Sequence, residues 1–182
     1  MVEIDFKILD FIREHLSCKA MDVLMKCITF LGEAGWFWIL LGIALVAFPK
    51  TRRVGVTVLS ALVICLVVCN LTVKPLVARI RPFDLKEGID LIIKKPGDYS
   101  VPSGHTAASF AAAAALFAYH KKWGTGALIV AALIAFSRLY LYVHYPSDVF
   151  AGLLLGLLAA AIAYYIVKTV YDKIEKKRGA LL

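Results

Sequence analysis

The sequence predicts an all-α, polytopic membrane protein of six transmembrane helices preceded by an interfacial helix. Three observations carry this expectation. Of 182 residues, 61% are hydrophobic and the mean hydropathy is +0.79, whereas a soluble domain is roughly half apolar. The apolar residues collect in long runs rather than spreading along the chain. Short polar or glycine-bearing turns separate the runs. Once the spans are counted there is no room for a second unit, so residues 1–182 read as a single membrane-embedded domain.

The elements follow in order. Residues 6–15 are amphipathic: Phe6, Leu9 and Ile12 repeat at helical spacing, Ile8 and Phe11 widen the apolar face, and Lys7, Asp10, Arg13 and Glu14 are polar. Such a segment lies on a membrane rather than crossing it. Residues 21–31 form the first span, a short one that carries Asp22 and Lys26 and ends at Gly32-Glu33-Ala34-Gly35. Residues 36–48 form the second, with Trp36 and Trp38 as interfacial anchors. After the polar turn 49–53, residues 54–73 are an uninterrupted third span. Residues 74–100 make the one long polar stretch, with Pro75, Pro82, Gly88, Pro96 and Gly97. It reads as an ordered loop with a short helix, and long loops in compact domains are commonly functional. Residues 103–119 form the fourth span, whose alanines at 111–115 permit close helix contact. Residues 124–142 and 147–170 form the fifth and sixth, the last with Gly152 and Gly156 spaced as G-x-x-x-G.

The net charge is +8 and the pI about 9.4. The cations fall between apolar runs, where they meet lipid headgroups rather than nucleic acid. Six spans would put both termini on one side, together with Lys50, Arg52, Arg53, Lys121, Lys122 and the basic tail at 173–178. Lysine and arginine in short loops mark the cytoplasmic side. Arg79, Lys86, Lys94 and Lys95 in the long loop blur that asymmetry. Of Cys18, Cys27, Cys65 and Cys69 the last three sit in apolar runs, so free, buried thiols are expected rather than a disulfide framework. The acidic start, with Glu3 and Asp5, lacks the basic region of a cleaved signal peptide.

Three clusters stand out against this background: Lys74 with Arg81-Pro82; Pro102-Ser103-Gly104-His105; and Ser137-Arg138 with His144 and Asp148. On the six-span reading all lie on the membrane face opposite the termini. Ionisable groups beside hydrocarbon are costly and mark functional sites. Phosphate-ester hydrolysis needs cations on the equatorial oxygens, an in-line nucleophile and a proton for the leaving oxygen. Lys74, Arg81 and Arg138 supply the first, although a lone lysine at a span end is more often a headgroup anchor. Ser103 is an N-cap for the helix after it, and the free N–H groups at Ser103, Gly104 and His105 form an anion site. His105 and His144 can serve as nucleophile and proton donor, in either order. Asp148, four residues after His144, can fix one imidazole tautomer or simply be a first-turn helix acid. Two histidines and an aspartate could also hold zinc, but three nearby cations oppose a metal and already supply its charge, so neither metal nor cofactor is expected.

The spacing Lys74-x6-Arg81-Pro82, Pro102-Ser103-Gly104-His105, Ser137-Arg138-x5-His144-x3-Asp148 resembles the three-part signature of the type-2 phosphatidic acid phosphatase superfamily, the lipid phosphate phosphatases. Every signature position is matched. The resemblance implies a metal-independent lipid phosphatase. It assigns His144 as nucleophile oriented by Asp148, His105 as the acid for the leaving group, and Lys74, Arg81, Arg138, Ser103 and the Gly104 amide as the phosphate cradle. Compact bacterial members act on undecaprenyl diphosphate, phosphatidylglycerophosphate or phosphatidic acid. A small chain with an outward-facing site suits undecaprenyl diphosphate at the bacterial cell membrane. A non-enzymatic lipid phosphate transporter with the same cradle is the competing class, but two histidines and a carboxylate exceed what binding alone requires.

Overall fold

Hydrocarbon spares only backbones that satisfy their own hydrogen bonds, and the chain answers with helices: no strand occurs among the described residues. The computed structural model describes residues 2–179; Met1 and residues 180–182, the two ends of the expected 1–182 domain, lie outside the described residues. The helices are α1 (Val2–Leu16), α2 (Lys19–Leu31), α3 (Trp36–Ala47), α4 (Arg52–Cys65), α5 (Lys74–Val77), α6 (Pro82–Leu85), α7 (Gly104–Tyr119), α8 (Lys121–Tyr140) and α9 (Pro146–Gly179).

The first two expected spans form a bent pair of short helices. Helices α2 and α3 have 13 and 12 residues, about 18–20 Å each at 1.5 Å per residue, against a hydrocarbon core of about 30 Å. The turn Glu33–Gly35 joins them, with Ala34 at φ 48° and Gly35 at φ 69°. The axis bends there by 41° instead of reversing, so the pair reads as one broken path. Arg52–Leu85, Lys121–Tyr140 and Pro146–Lys177 are each long and apolar enough to cross a membrane, and the bent pair makes four. Helix α7 has 16 residues and packs among α4, α8 and α9. By length and composition three or four paths thus qualify, against the six expected.

Asp5 of α1 accepts hydrogen bonds from the Ser147 amide (3.1 Å) and hydroxyl (2.6 Å) at the start of α9. Helix α1 thus lies at the same end of the bundle as the three clusters, not opposite them. The carboxyl-terminal part of α9 is at the other end, where Asp172 pairs with Arg53 at 2.9 Å.

Small residues set the centre. Ala107, Ala111, Ala112, Ala113 and Ala115 of α7 are buried. A Cβ on Gly152 would sit 2.7 Å from the Ser103 carbonyl oxygen, and one on Gly156 would come closer still to that of Ala107. The G-x-x-x-G spacing is thus the face on which α9 meets α7. Trp38 is no interfacial anchor: it is 1% exposed and its indole donates to Ser109 Oγ at 3.0 Å. Cys65 and Cys69 are buried thiols as expected, whereas Cys27 is exposed on α2.

The expected third span changes pitch near its end. Leu66–Val73 is a π-helix leading into α5. Pro75 has no N–H and its ring crowds the carbonyl one turn back, and a widened turn relieves that conflict. Ala78, at φ 47°, then ends α5, and the extended stretch that follows carries Arg79 and Arg81.

Candidate active site

Each part of the signature is delivered by a helix end. Ser103 caps α7: its Oγ accepts from the Thr106 hydroxyl at 2.9 Å and, at 3.5 Å, from the Thr106 amide. Its amide donates to the Asp148 carbonyl oxygen at 3.1 Å, which ties the start of α7 to the start of α9. Arg138 sits in the last turn of α8, 2% exposed, and donates to Thr29 Oγ1 at 2.5 Å. The turn after α8 holds Tyr142 at φ 59°. A bulky residue there is strained. It is held by burial and by a 2.7 Å bond from its hydroxyl to Asp10 of α1. Two residues on, His144 is 1% exposed.

His144 presents its two nitrogens to different groups. Nδ1 lies 3.5 Å from Asp148 Oδ2; Nε2 lies 3.3 Å from the Arg81 guanidinium. The first distance is longer than a hydrogen bond. Burial pushes the His144 imidazole down to about 3; Asp148 opposes the shift, and Arg81 and Arg138 add to it. The ring is therefore neutral at neutral pH, the form that can act as a nucleophile. Asp148, 0% exposed, is itself held by the Tyr145 amide (2.9 Å), the Ser100 hydroxyl and Arg79.

Arg81, 4% exposed, donates to the Val143 carbonyl (2.6 Å), the Asp98 carbonyl (2.8 Å) and the Asp98 carboxylate (2.6 Å). Lys74 pairs with the other Asp98 oxygen. Burial alone would raise the Asp98 carboxyl, but Lys74 and Arg81 hold it down at about 2. At neutral pH an internal anion thus sits between two of the cations expected to hold phosphate.

Six of the eight expected residues line one cavity of about 1100 Å³: Lys74, Arg81, Gly104, His105, Arg138 and His144. Ser103 lies behind it as a buried cap, and Asp148 lies behind His144. His105 Nε2 is 3.5 Å from Glu33 in the turn between α2 and α3. A Cβ on Gly104 would come 3.1 Å from Asn70 Oδ1, so the glycine is what lets the Asn70 amide sit close against the start of α7. Away from the charges the cavity continues between α3 and α4, lined by Ile39, Ile43, Leu59, Leu62, Val63 and Leu66.

Sequence reasoning did not single out Asp98, Glu33, Asn70, Ser100 or Thr29. Arg79 it treated only as a loop cation. The available signal was position: Arg79 stands two residues before Arg81, and in extended backbone such residues share a face. Both reach the dyad, Arg81 at His144 and Arg79 at Asp148.

This arrangement belongs to a known class. Residues 53–172 match the model of the PAP2 superfamily, and the chain belongs to that family; it is a multi-pass membrane protein and a lipid phosphatase. Undecaprenyl-diphosphatase of Sulfolobus acidocaldarius is 35% identical over 144 residues, covering 78% of this chain and 69% of that protein. The crystal structure of Aquifex aeolicus LpxE superposes with a TM-score of 0.76 at 28% identity, over 87% of this chain and 93% of that one. The PAP2-type phosphatidylglycerolphosphate phosphatase from Bacillus subtilis gives 0.71 at 25% identity, over 94% and 86%.

Proposed function

We propose that the protein hydrolyses undecaprenyl diphosphate without a metal, through a phosphohistidine at His144, at the extracytoplasmic face of a bacterial inner membrane. The observation that carries this reading is His144, turned with one nitrogen toward Asp148 and the other toward Arg81 at the wall of a cavity that runs on into an apolar groove. His144 Nε2 attacks the terminal phosphorus while Lys74, Arg81, Arg138 and the Gly104 amide neutralise the equatorial oxygens. The bond from phosphorus to the bridging oxygen breaks, and His105 supplies the proton that the departing lipid phosphate takes up. Water then attacks the phosphohistidine, His105 accepts its proton, and inorganic phosphate leaves with His144 restored.

Several observations support the finer points. Lys26 and Lys94 also line the cavity, giving more positive charge than one phosphate group needs and favouring a diphosphate. Ile39, Ile43, Val63 and Leu66 are exposed along the groove, which suits a hydrocarbon chain. Lys50, Arg52, Arg53, Lys121 and Lys122 lie toward the end away from the site, which by the positive-inside rule is cytoplasmic. Helix α1, amphipathic and at the site's end, then lies along the outer interface, and the chain works as a single membrane-embedded domain. The likeness to the Bacillus subtilis enzyme favours phosphatidylglycerophosphate as the second candidate substrate.

The test is phosphate release by the purified protein across undecaprenyl diphosphate, phosphatidylglycerophosphate and phosphatidic acid. Release from the diphosphate is expected to be fastest, to survive chelators, to be blocked by vanadate, and to vanish in His144→Ala. Binding without release from any of the three would point to a transporter, and loss on chelation would point to a metal.

A further inference from the structure

The groups behind Asp148 are arranged too specifically to be a solvated loop contact. Arg79 Nη1 reaches Asp148 Oδ1 at 2.5 Å and the Ser147 hydroxyl at 2.8 Å. Its Nη2 reaches Asp5 Oδ2 at 2.9 Å, and the guanidinium stacks 3.9 Å from the centre of the Tyr145 ring. Asp5, 4% exposed although it belongs to α1, takes hydrogen bonds from both the amide and the hydroxyl of Ser147. The first amides of a helix have no partner within it, so a carboxylate from another element is capping α9 one residue before Asp148. A chain of four side chains results, from the cavity inward: His144, Asp148, Arg79, Asp5.

We propose that Arg79 and Asp5 are positioning residues for the catalytic dyad, and that helix α1 is thereby a working part of the active site. The inference rests on the phosphatase reading above. Asp148 Oδ2, the oxygen facing the His144 ring, also takes the Tyr145 amide and the Ser100 hydroxyl, and Oδ1 is left for Arg79 to fix. Arg79, planar and stacked, fixes that oxygen with a geometry a point charge lacks. An unshared arginine would also draw the Asp148 charge away from the imidazole. Asp5 divides the guanidinium's charge between two carboxylates, leaving Asp148 negative enough to steady the imidazolium-like transition state. Neither residue touches the cavity, so neither contributes directly to substrate binding.

The experiment uses the full chain in lipid–detergent micelles, with undecaprenyl diphosphate and phosphatidylglycerophosphate as probes, and Arg79→Met, Arg79→Lys, Asp5→Asn and the Asp5→Asn/Arg79→Met double variant. Loss of an orienting partner behind a catalytic group costs on the order of 10–100-fold in activity, so kcat in Arg79→Met is expected to fall by that much with KM within about threefold. Arg79→Lys should recover part of the loss and Asp5→Asn should lose less than Arg79→Met. The double variant should be no worse than Arg79→Met, because both changes break one chain of contacts. Asp5→Asn keeps the residue's shape, so it reports even if Arg79→Met does not fold. Wild-type kcat in Asp5→Asn or a folded Arg79→Met, a loss confined to KM, or losses that multiply in the double variant would each overturn the inference. A wild-type protein inert on both probes would instead bring down the phosphatase reading, and the inference with it.

Discussion

Asp98 shows how much a single side chain decides at this site. Its carboxylate bridges Lys74 and Arg81, so incoming phosphate must displace an anion already in place. The side chain is 54% exposed, which leaves it free to swing away. With its carboxyl held near 2, the competition is present from neutral pH down to about 4 and fades only below that, as the carboxylate takes up a proton. Asp98→Asn is therefore expected to tighten vanadate inhibition by about tenfold, the worth of one charge-assisted hydrogen bond. Inhibition constants measured side by side would show it, and a weaker constant in the variant would mean that Asp98 organises the cations for phosphate instead of competing with it. Arg138 is the opposite case. Its guanidinium has a partner in Thr29, and its Nε has none among the described residues, which leaves capacity for a substrate oxygen.

Among the elements, the α7–α9 contact matters most for holding the three signature parts together. Ser103 and His105 begin α7, and Asp148 is in the first turn of α9. Gly152 and Gly156 let the two backbones touch along the stretch just below. Gly156→Leu would force the helices apart and is expected to cost at least about 2 kcal/mol by overpacking, read as a lower unfolding midpoint together with reduced turnover. Gly126 of α8 has open space around the position of a Cβ, so Gly126→Ala is the control and should match or slightly exceed the wild-type midpoint. The bent pair α2–α3 plays a different part. Its break places Gly32 against the His105 ring and Glu33 at its Nε2, so the kink is where the membrane path gives way to the site.

For the whole molecule, burial of His144 makes stability depend on pH. Its imidazole is near 6.5 when unfolded and about 3 when folded, so between those values the unfolded chain binds more protons than the folded one. Stability must then be complete above pH 6.5 and fall as pH drops from 6.5 toward 3. Unfolding midpoints across that range are expected to follow this slope, and His144→Gln, which has no proton to take up, should make it shallower. An equally steep slope in the variant would assign the pH dependence to other groups.

The division between what the chain spells out and what folding adds follows from distance along the chain. Helical class, apolar runs, punctuating glycines and the three signature clusters are local properties, so they could be read from residue order, and the G-x-x-x-G face with them. The span count could not, because Gly32–Gly35 reads equally as a reversal or a bend, and only the packing of α2 on α8 and of α3 on α4 chose the 41° bend. That choice moved the amino terminus to the site's end and made Asp5 a neighbour of Asp148, two residues more than a hundred positions apart. Asp98 and Arg79 went unrecognised for the same reason: a charge in a polar loop carries no local mark of its partner. Their pairings exist because burial leaves a charged group no alternative to a counter-charge, and which counter-charge arrives is settled by the fold alone.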